Sequence, residues 1–285
     1  MAEIIDGKQL SKSIRADVTE RVSKLQETYG KAPHLVVVIV GDNPASHSYV
    51  KRKKKDCERA GMKSTIIHKD SDISESALLD IVEELNQDSD VHGILVQLPL
   101  PDHIDKNLVI ETIRKEKDVD GFHPLNIAAV HTGEKAILPA TPKGVMRMLE
   151  STGIDLVGKE AFVIGTSNIA GKPIGMLLLE SKATVTYAHS DTRDLKPHAK
   201  FADIIVSAAG VVNLVTADMV KEGAVVIDVG INRVDGKLVG DVDFDAVKEK
   251  ASYITPVPGG VGPMTIASLL ENTLECFKDL ENIEE

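Results

Sequence analysis

Short runs of nearly uninterrupted aliphatic and β-branched residues, each followed by a stretch with helical spacing, constrain this chain more than any other feature. LVVVIVG (35–41), STIIH (64–68) and GILVQLPL (93–100) form one series. AFVIG (161–165), ATVTYAH (183–189), DIIVSAAG (203–210) and AVVIDVG (224–230) form a second. A strand that is apolar throughout is covered on both faces, and alternation with helices produces that by laying crossovers over each side of a parallel sheet. The stretch from Ala45 to Ala60 has helical composition. SESALLDIVEELNQ (74–87) predicts a helix capped by Ser74, with Leu78, Ile81, Val82 and Leu85 in one stripe. LPATPKGVMRMLESTG (138–153) predicts another, Thr141 as its cap and Pro142 in the first helical position. From Thr265 to Leu280, helical spacing returns in Ile266, Leu269, Leu270, Leu274 and Phe277.

The fold class that follows is α/β: two α/β domains with a cleft between them, the second a Rossmann-type parallel-sheet dinucleotide-binding domain. A length of 285 residues suits two such domains. The expected division gives residues 1–140 to the first and 141–264 to the second, with the C-terminal helix, about 265–285, packing back on the first. With 33 Lys and Arg against 44 Asp and Glu, the net charge of −11 argues against nucleic acid as a partner. No apolar run approaches the roughly 18 residues of a membrane span. The start shows no basic segment followed by an apolar one, so the expected location is cytoplasmic. Cys57 and Cys276 have neither zinc-type nor CxxC spacing and are expected to be free thiols. The nine His show no ligand cluster, and no metal is expected.

VIGTSNIAGKP (163–173) follows a predicted strand and opens a predicted helix. Gly165 permits the tight turn, small Thr166 and Ser167 let donors approach a phosphate, and Gly171 and Pro173 suit a helix start whose amides bind anions. Ser167 stands at the second glycine position of the G-x-G-x-x-G pattern, and an unliganded βα turn has the same appearance. The next strand ends at His189-Ser190, where an NAD site usually places an acid for the ribose hydroxyls. A hydroxyl there, with Arg193 close behind, favours NADP; Asp191 keeps NAD open.

In GDNPASHSYVKRKKKDCERAG (41–61), the KRKKK run alone reads equally as a solvated helix face. Tyr49 and Lys53, however, share a face at i, i+4. Crowding by Lys51, Arg52, Lys54 and Lys55, or partial burial, would lower the Lys53 pKa and make its amine a proton acceptor. The Tyr-x-x-x-Lys pair of short-chain dehydrogenases is a poor match, because there the glycine-rich turn opens the chain. Gln97 lies at the C-terminal end of an apolar strand, where open α/β sheets bind ligands. Asp118 and Asp120 in KDVDGFHP (117–124) are either solvated loop acids or, in one case, the acceptor for an amidine-like ring edge. ITPVPGGVGPMT (254–265) exposes backbone for close ligand approach, and a cis X-Pro bond is expected there.

ASHSYVKRKKKDCERAGM, GILVQLPLP, EKDVDGFHPLN, LPATPKGV, IGTSNIAGKP and ITPVPGGVGPMT, in that order, closely resemble the bifunctional methylenetetrahydrofolate dehydrogenase/methenyltetrahydrofolate cyclohydrolase family over nearly the whole chain. The resemblance implies oxidation of 5,10-methylenetetrahydrofolate with NADP⁺ to the methenyl cation, then hydration to 10-formyltetrahydrofolate, which supplies one-carbon units for purine biosynthesis. It implies that Lys53 is the proton-transfer group, Tyr49 stacks on the folate, Gln97 hydrogen-bonds the lysine and Asp120 grips the pterin. It assigns Pro258, Gly259, Gly260, Val261 and Gly262 to the substrate loop, and Gly165, Thr166, Ser167, Ser190 and Ile231 to the cofactor. It also implies a homodimer. Thr166 departs from the Arg that many members carry there to hold the 2′-phosphate. The rival readings are a monofunctional NAD-dependent dehydrogenase of the same fold and a non-catalytic folate- or nucleotide-binding protein.

Overall fold

A computed structural model describes residues 1–284. Along the chain come β1 (Glu3–Ile4), α1 (Gly7–Tyr29), β2 (His34–Val40), α2 (Pro44–Arg59), β3 (Lys63–Lys69), α3 (Glu75–Gln87), β4 (Gly93–Val96), α4 (Lys106–Thr112), α5 (Pro124–Thr132) and α6 (Ala140–Ser151). There follow β5 (Glu160–Ile164), α7 (Gly171–Glu180), β6 (Thr184–Ala188), α8 (Lys196–Ala199), β7 (Ile204–Ser207), β8 (Val225–Asp228), β9 (Asn232–Val234), β10 (Lys237–Val239), α9 (Phe244–Val247), β11 (Tyr253–Ile254) and α10 (Val261–Leu280). The chain divides into two compact units, one of Ser13–Ala140 with the chain from Ile266 onward, the other of Met1–Lys12 with Thr141–Thr265.

The first unit is built on a parallel three-stranded sheet in the order β3-β2-β4. Central β2 is buried along its whole length, and its side chains alternate between two cores. Leu35, Val37 and Ile39 pack with Val18 and Val22 of α1, Val50 and Cys57 of α2, and Leu270, Leu274 and Phe277 of α10. Val36, Val38 and Val40 pack with Leu78 and Val82 of α3 and Val109 of α4. Ser74 caps α3 as the sequence predicts, its hydroxyl accepting from the Ala77 amide at 3.2 Å. At the other end of α3, the Lys117 ammonium donates to the Leu85, Asn86 and Asp88 carbonyls, satisfying groups the helix leaves open.

The second unit holds a six-stranded parallel sheet, β1-β11-β8-β7-β5-β6. Its core joins Phe162, Ile164, Ile205, Val226 and Ile254. The β9–β10 hairpin turns through Asp235 (φ 49°) and Gly236 (φ 77°), the two left-handed positions that a type I′ turn requires.

Three expectations are corrected. Residues 1–12 belong with the second unit rather than the first, because β1 pairs with β11, Glu3 opposite Tyr253. A two-residue strand carries no periodicity, so its partner is set by tertiary context. Helix α6 begins at Ala140, which puts Thr141 inside the first turn, its hydroxyl 3.0 Å from that of Thr265, with Pro142 still among the positions where a missing N–H is tolerated. Helix α10 starts at Val261, ahead of Thr265. The Val257–Pro258 bond is cis, and so is Leu98–Pro99.

Candidate active site and cofactor cavity

Helix α2 buries a stripe of Val50, Lys53, Asp56 and Cys57, which puts a lysine among apolar neighbours. Of the KRKKK run only Lys53 turns inward, at 5% exposure; Lys51, Arg52 and Lys55 stay exposed. Its ammonium lies 4.5 Å from the Tyr49 ring centroid, within cation–π range, and donates to Gln97 Oε1 at 3.4 Å. Gln97 comes from the residue just past β4. Its amide nitrogen donates to the Leu98 carbonyl at 2.8 Å, which fixes which end of the side chain faces the lysine. Burial pushes Lys53 below its ordinary range, while Asp120 and Cys57 pull it back up. Of the two causes expected, crowding by neighbouring cations and burial, removal from water is the one that acts. Burial also pushes the Tyr49 phenol up to about 12, so it keeps its proton near neutrality.

The two loop acids, which local spacing alone does not separate, differ in their surroundings. Asp118 is buried and accepts from the Gly121 and His123 amides and from Asn126 Nδ2, at 3.1, 2.7 and 3.0 Å. Its hydrogen-bonding capacity is spent inside the turn. Gly121 makes that turn possible, with φ +71° and a would-be Cβ 2.6 Å from the Pro139 nitrogen. Asp120 sits beyond it, pushed upward by burial and by Asp118 and drawn down by Lys53, and no hydrogen bond among the described residues contributes to its state. That leaves the Asp120 carboxylate available to a ligand.

In the second unit, a cavity of about 860 Å³ opens at the C-terminal end of β5. Gly165, Thr166, Ser167, Ser190 and Arg193 are among its lining residues. Gly165 (φ +106°) and Gly171 are in such close approach that a Cβ on Gly171 would lie 1.8 Å from the Gly165 carbonyl oxygen. Asp191 is exposed and lies outside the lining, paired with His189 at 3.7 Å. Asp194 and Asp218 also line the cavity, but each is engaged: Asp194 accepts from the Lys196 amide at 3.0 Å, and Asp218 is ion-paired with Lys196. Ile231, expected at the cofactor, is 62% exposed and outside this lining. Pro258 to Gly262 lie in the turn that opens α10, in the same unit as the cavity. Gly260 N donates there to the Pro256 carbonyl at 2.8 Å.

Residues 5–120 match the family described as tetrahydrofolate dehydrogenase/cyclohydrolase, catalytic domain, and residues 139–281 match its NAD(P)-binding domain. The chain belongs to the tetrahydrofolate dehydrogenase/cyclohydrolase family. Within it, the Bifunctional protein FolD of Bacillus licheniformis is 55% identical over 97% of this chain and 98% of its own. The crystal structure of the bifunctional enzyme FolD from Campylobacter jejuni superposes with a TM-score of 0.96 at 52% identity, covering 98% of this chain and 99% of that one. The Trypanosoma brucei dehydrogenase-cyclohydrolase, solved with NADP and an inhibitor, gives 0.94 at 41% identity, covering 98% of each chain.

One pair of residues escaped sequence reasoning. Asp241, fully buried, accepts from Ser207 Oγ (3.0 Å), the Ala209, Gly210 and Val211 amides (2.8, 3.1 and 3.0 Å) and Asn232 Nδ2 (3.1 Å). Ala208, Ala209 and Val211 line the cavity, so one carboxylate shapes part of its wall. Asp228 in turn accepts from the Asp241, Val242 and Gly230 amides, and burial pushes it up to about 6. The only sequence signal was a pair of acids next to glycines, Asp228 two before Gly230 and Asp241 just after Gly240.

Proposed function

We propose that this chain oxidises 5,10-methylenetetrahydrofolate with NADP⁺ and hydrates the resulting methenyl cation to 10-formyltetrahydrofolate, with Lys53 as the proton-transfer group. The observation that carries the reading is one buried amine beside a phenol ring, held by an oriented amide. A lysine kept from water has its charged form disfavoured, so it gives up its proton more readily than an exposed lysine and can serve as a proton acceptor.

In the hydration, the water oxygen bonds to the electrophilic methenyl carbon and Lys53 takes one of its protons. The carbon–N5 bond then breaks, N5 gains a proton, and one proton is released overall. Gln97 Oε1 receives the Lys53 N–H and keeps the amine aimed. Tyr49 offers a face on which a flat ring stacks. Asp120 accepts the paired donors of the pterin edge, a match of two oxygens to two N–H groups.

The second unit fits a dinucleotide. Gly165 and Gly171 form a cradle that a Cβ would fill, next to a helix N-terminus. When bound, NADP⁺ supplies the hydride acceptor for the oxidation. Gly165, Thr166 and Ser167 would hold its phosphates, with Ser190 and Arg193 for the 2′-phosphate. Arg193 at the cavity, together with Asp191 outside it, favours NADP over NAD despite Thr166. Pro258 to Gly262 are assigned to substrate and Ile231 to cofactor on the family resemblance, which also supports a cytoplasmic homodimer.

Reduction of NADP⁺ and NAD⁺ with methylenetetrahydrofolate, followed spectroscopically, tests this directly. The expected result is turnover with both hydride and formyl products, and a higher kcat/KM for NADP⁺. Arg193→Ala is expected to narrow that preference by removing a charge-assisted contact worth about 1.5–3 kcal/mol. No turnover with either nucleotide would return the chain to a binding role.

Asp120→Ala is expected to weaken folate binding about 10–100-fold through loss of a charge-assisted hydrogen-bond pair, leaving NADP⁺ affinity unchanged. Calorimetric titration of each ligand checks it, and equal losses for both would contradict the pterin role.

A further inference from the structure

Three residues outside the folate and cofactor sites converge at the start of α2. Gly41 (φ +77°) turns the chain out of β2, Asp42 follows, His47 lies in the first turns of α2, and His68 sits near the end of β3, opposite Ile39 in the sheet. The sequence, in which Asp42 and His68 are far apart, showed no ligand cluster; the parallel β2–β3 pairing makes one. His47 Nε2 and His68 Nε2 both point at the Gly41 carbonyl oxygen, at 3.1 and 3.2 Å. Asp42 Oδ1 lies 3.6 Å from the first and 3.4 Å from the second. The three side-chain atoms all fall within 4.8 Å of one another, and the rings meet edge to face at 4.9 Å.

We propose that Asp42, His47 and His68 bind one divalent transition ion of the zinc class. Zinc bonds to imidazole nitrogen and carboxylate oxygen of about 2.0–2.1 Å place neighbouring ligands about 3.3 Å apart in a tetrahedron, and the four distances here bracket that edge. Two imidazoles and one carboxylate suit zinc and its neighbours, whereas magnesium and calcium call for all-oxygen sets. The Gly41 carbonyl or a water completes the fourth position. Both Nε2 atoms donate to the Gly41 carbonyl in the ion-free chain, so binding would move each ring's proton to Nδ1 and exchange these hydrogen bonds for bonds to the ion. The positive end of the α2 dipole opposes a cation here, and the Asp42 charge opposes the dipole. Asp42 is 82% exposed, and the two rings are partly so, which leaves the site open to exchange. An ion there ties the first turns of α2 to the β2–β3 edge, on the helix that carries Tyr49 and Lys53.

The experiment is calorimetric titration of tag-free, chelator-treated full-length protein with Zn²⁺, repeated with Co²⁺ to read the visible absorption of a tetrahedral nitrogen–oxygen site. The expected result is one ion per chain, with His47→Ala and His68→Ala each weakening binding at least tenfold and abolishing the Co²⁺ spectrum. His131→Ala, at an exposed histidine on α5, is expected to bind as the parent does. Should either ring variant lose its circular dichroism signature, Asp42→Asn in the exposed turn takes its place. Failure of the parent to bind, or unaltered stoichiometry and affinity in the variants, overturns the site.

Discussion

Lys53→Met is expected to cut hydration of methenyltetrahydrofolate by at least the 10²–10⁴-fold typical of a lost general acid–base group, about three orders of magnitude, while NADP⁺ affinity is unchanged. Methionine fills the buried volume of the side chain without its amine, so the cation–π contact with Tyr49 and the donation to Gln97 are lost while the apolar stem stays buried. The fold itself is a control with a definite sign. Lys53 has a lowered pKa in the folded chain, so the stability it carries is greatest above its ordinary 10.5 and is lost as pH falls through the lowered value. At neutral pH the buried amine is therefore a cost, and its removal is expected to hold or raise the melting temperature. The parent's hydration rate is expected to climb with pH through a limb below the usual lysine range, and that limb should vanish in Lys53→Met. Stopped-flow hydration over pH, beside thermal melts, reads both. Unchanged hydration would remove Lys53 from the mechanism, and a steep loss of stability would show that its packing, not its chemistry, matters.

How much of this was readable without coordinates differs from element to element. The unbroken run of β2 declared a strand covered on both faces, and its period-two alternation is what splits Leu35, Val37 and Ile39 from Val36, Val38 and Val40. The i, i+4 spacing of Tyr49 and Lys53 marked the inward face of α2. Which of the two expected causes lowers the lysine was not readable, since burial depends on α1, α10 and the sheet, all distant in sequence. Asp118 and Asp120 look alike two residues apart; the amides of the turn and Asn126 choose between them, and those choices follow from the backbone path that Gly121 allows. The pairing of β1 with β11 and the meeting of His47 with His68 are likewise products of tertiary register, and composition carries no trace of either.

The same limit hid Asp241, whose replacement gives the other large expected effect. In Asp241→Asn, one oxygen that accepts from two or three donors becomes an NH₂ group that donates. If Oδ2 is the atom replaced, the Ser207 hydroxyl and the Ala209 and Gly210 amides lose their acceptor; if Oδ1, the Val211 amide and Asn232 do. Buried donors left unsatisfied cost about 1–3 kcal/mol each, so the net destabilisation should be about 3–5 kcal/mol. For a chain of this size that amounts to a melting temperature lower by roughly 5–8 °C. The loss should also reach the cofactor, because the residues released include Ala209 and Val211 of the cavity wall. NADP⁺ affinity is thus expected to fall in the same variant, while folate binding, whose candidate side chains Tyr49, Gln97 and Asp120 lie in the other unit, is expected to fall less. Asp235→Asn in the β9–β10 turn is the control. Asparagine tolerates the left-handed conformation at that position as well as aspartate does, so no change in stability or affinity is expected there. Thermal melts and cofactor titrations on the two variants decide it: a melting temperature in Asp241→Asn equal to that of Asp235→Asn would mean that water replaces the carboxylate at no cost and that the cavity wall holds its shape without it.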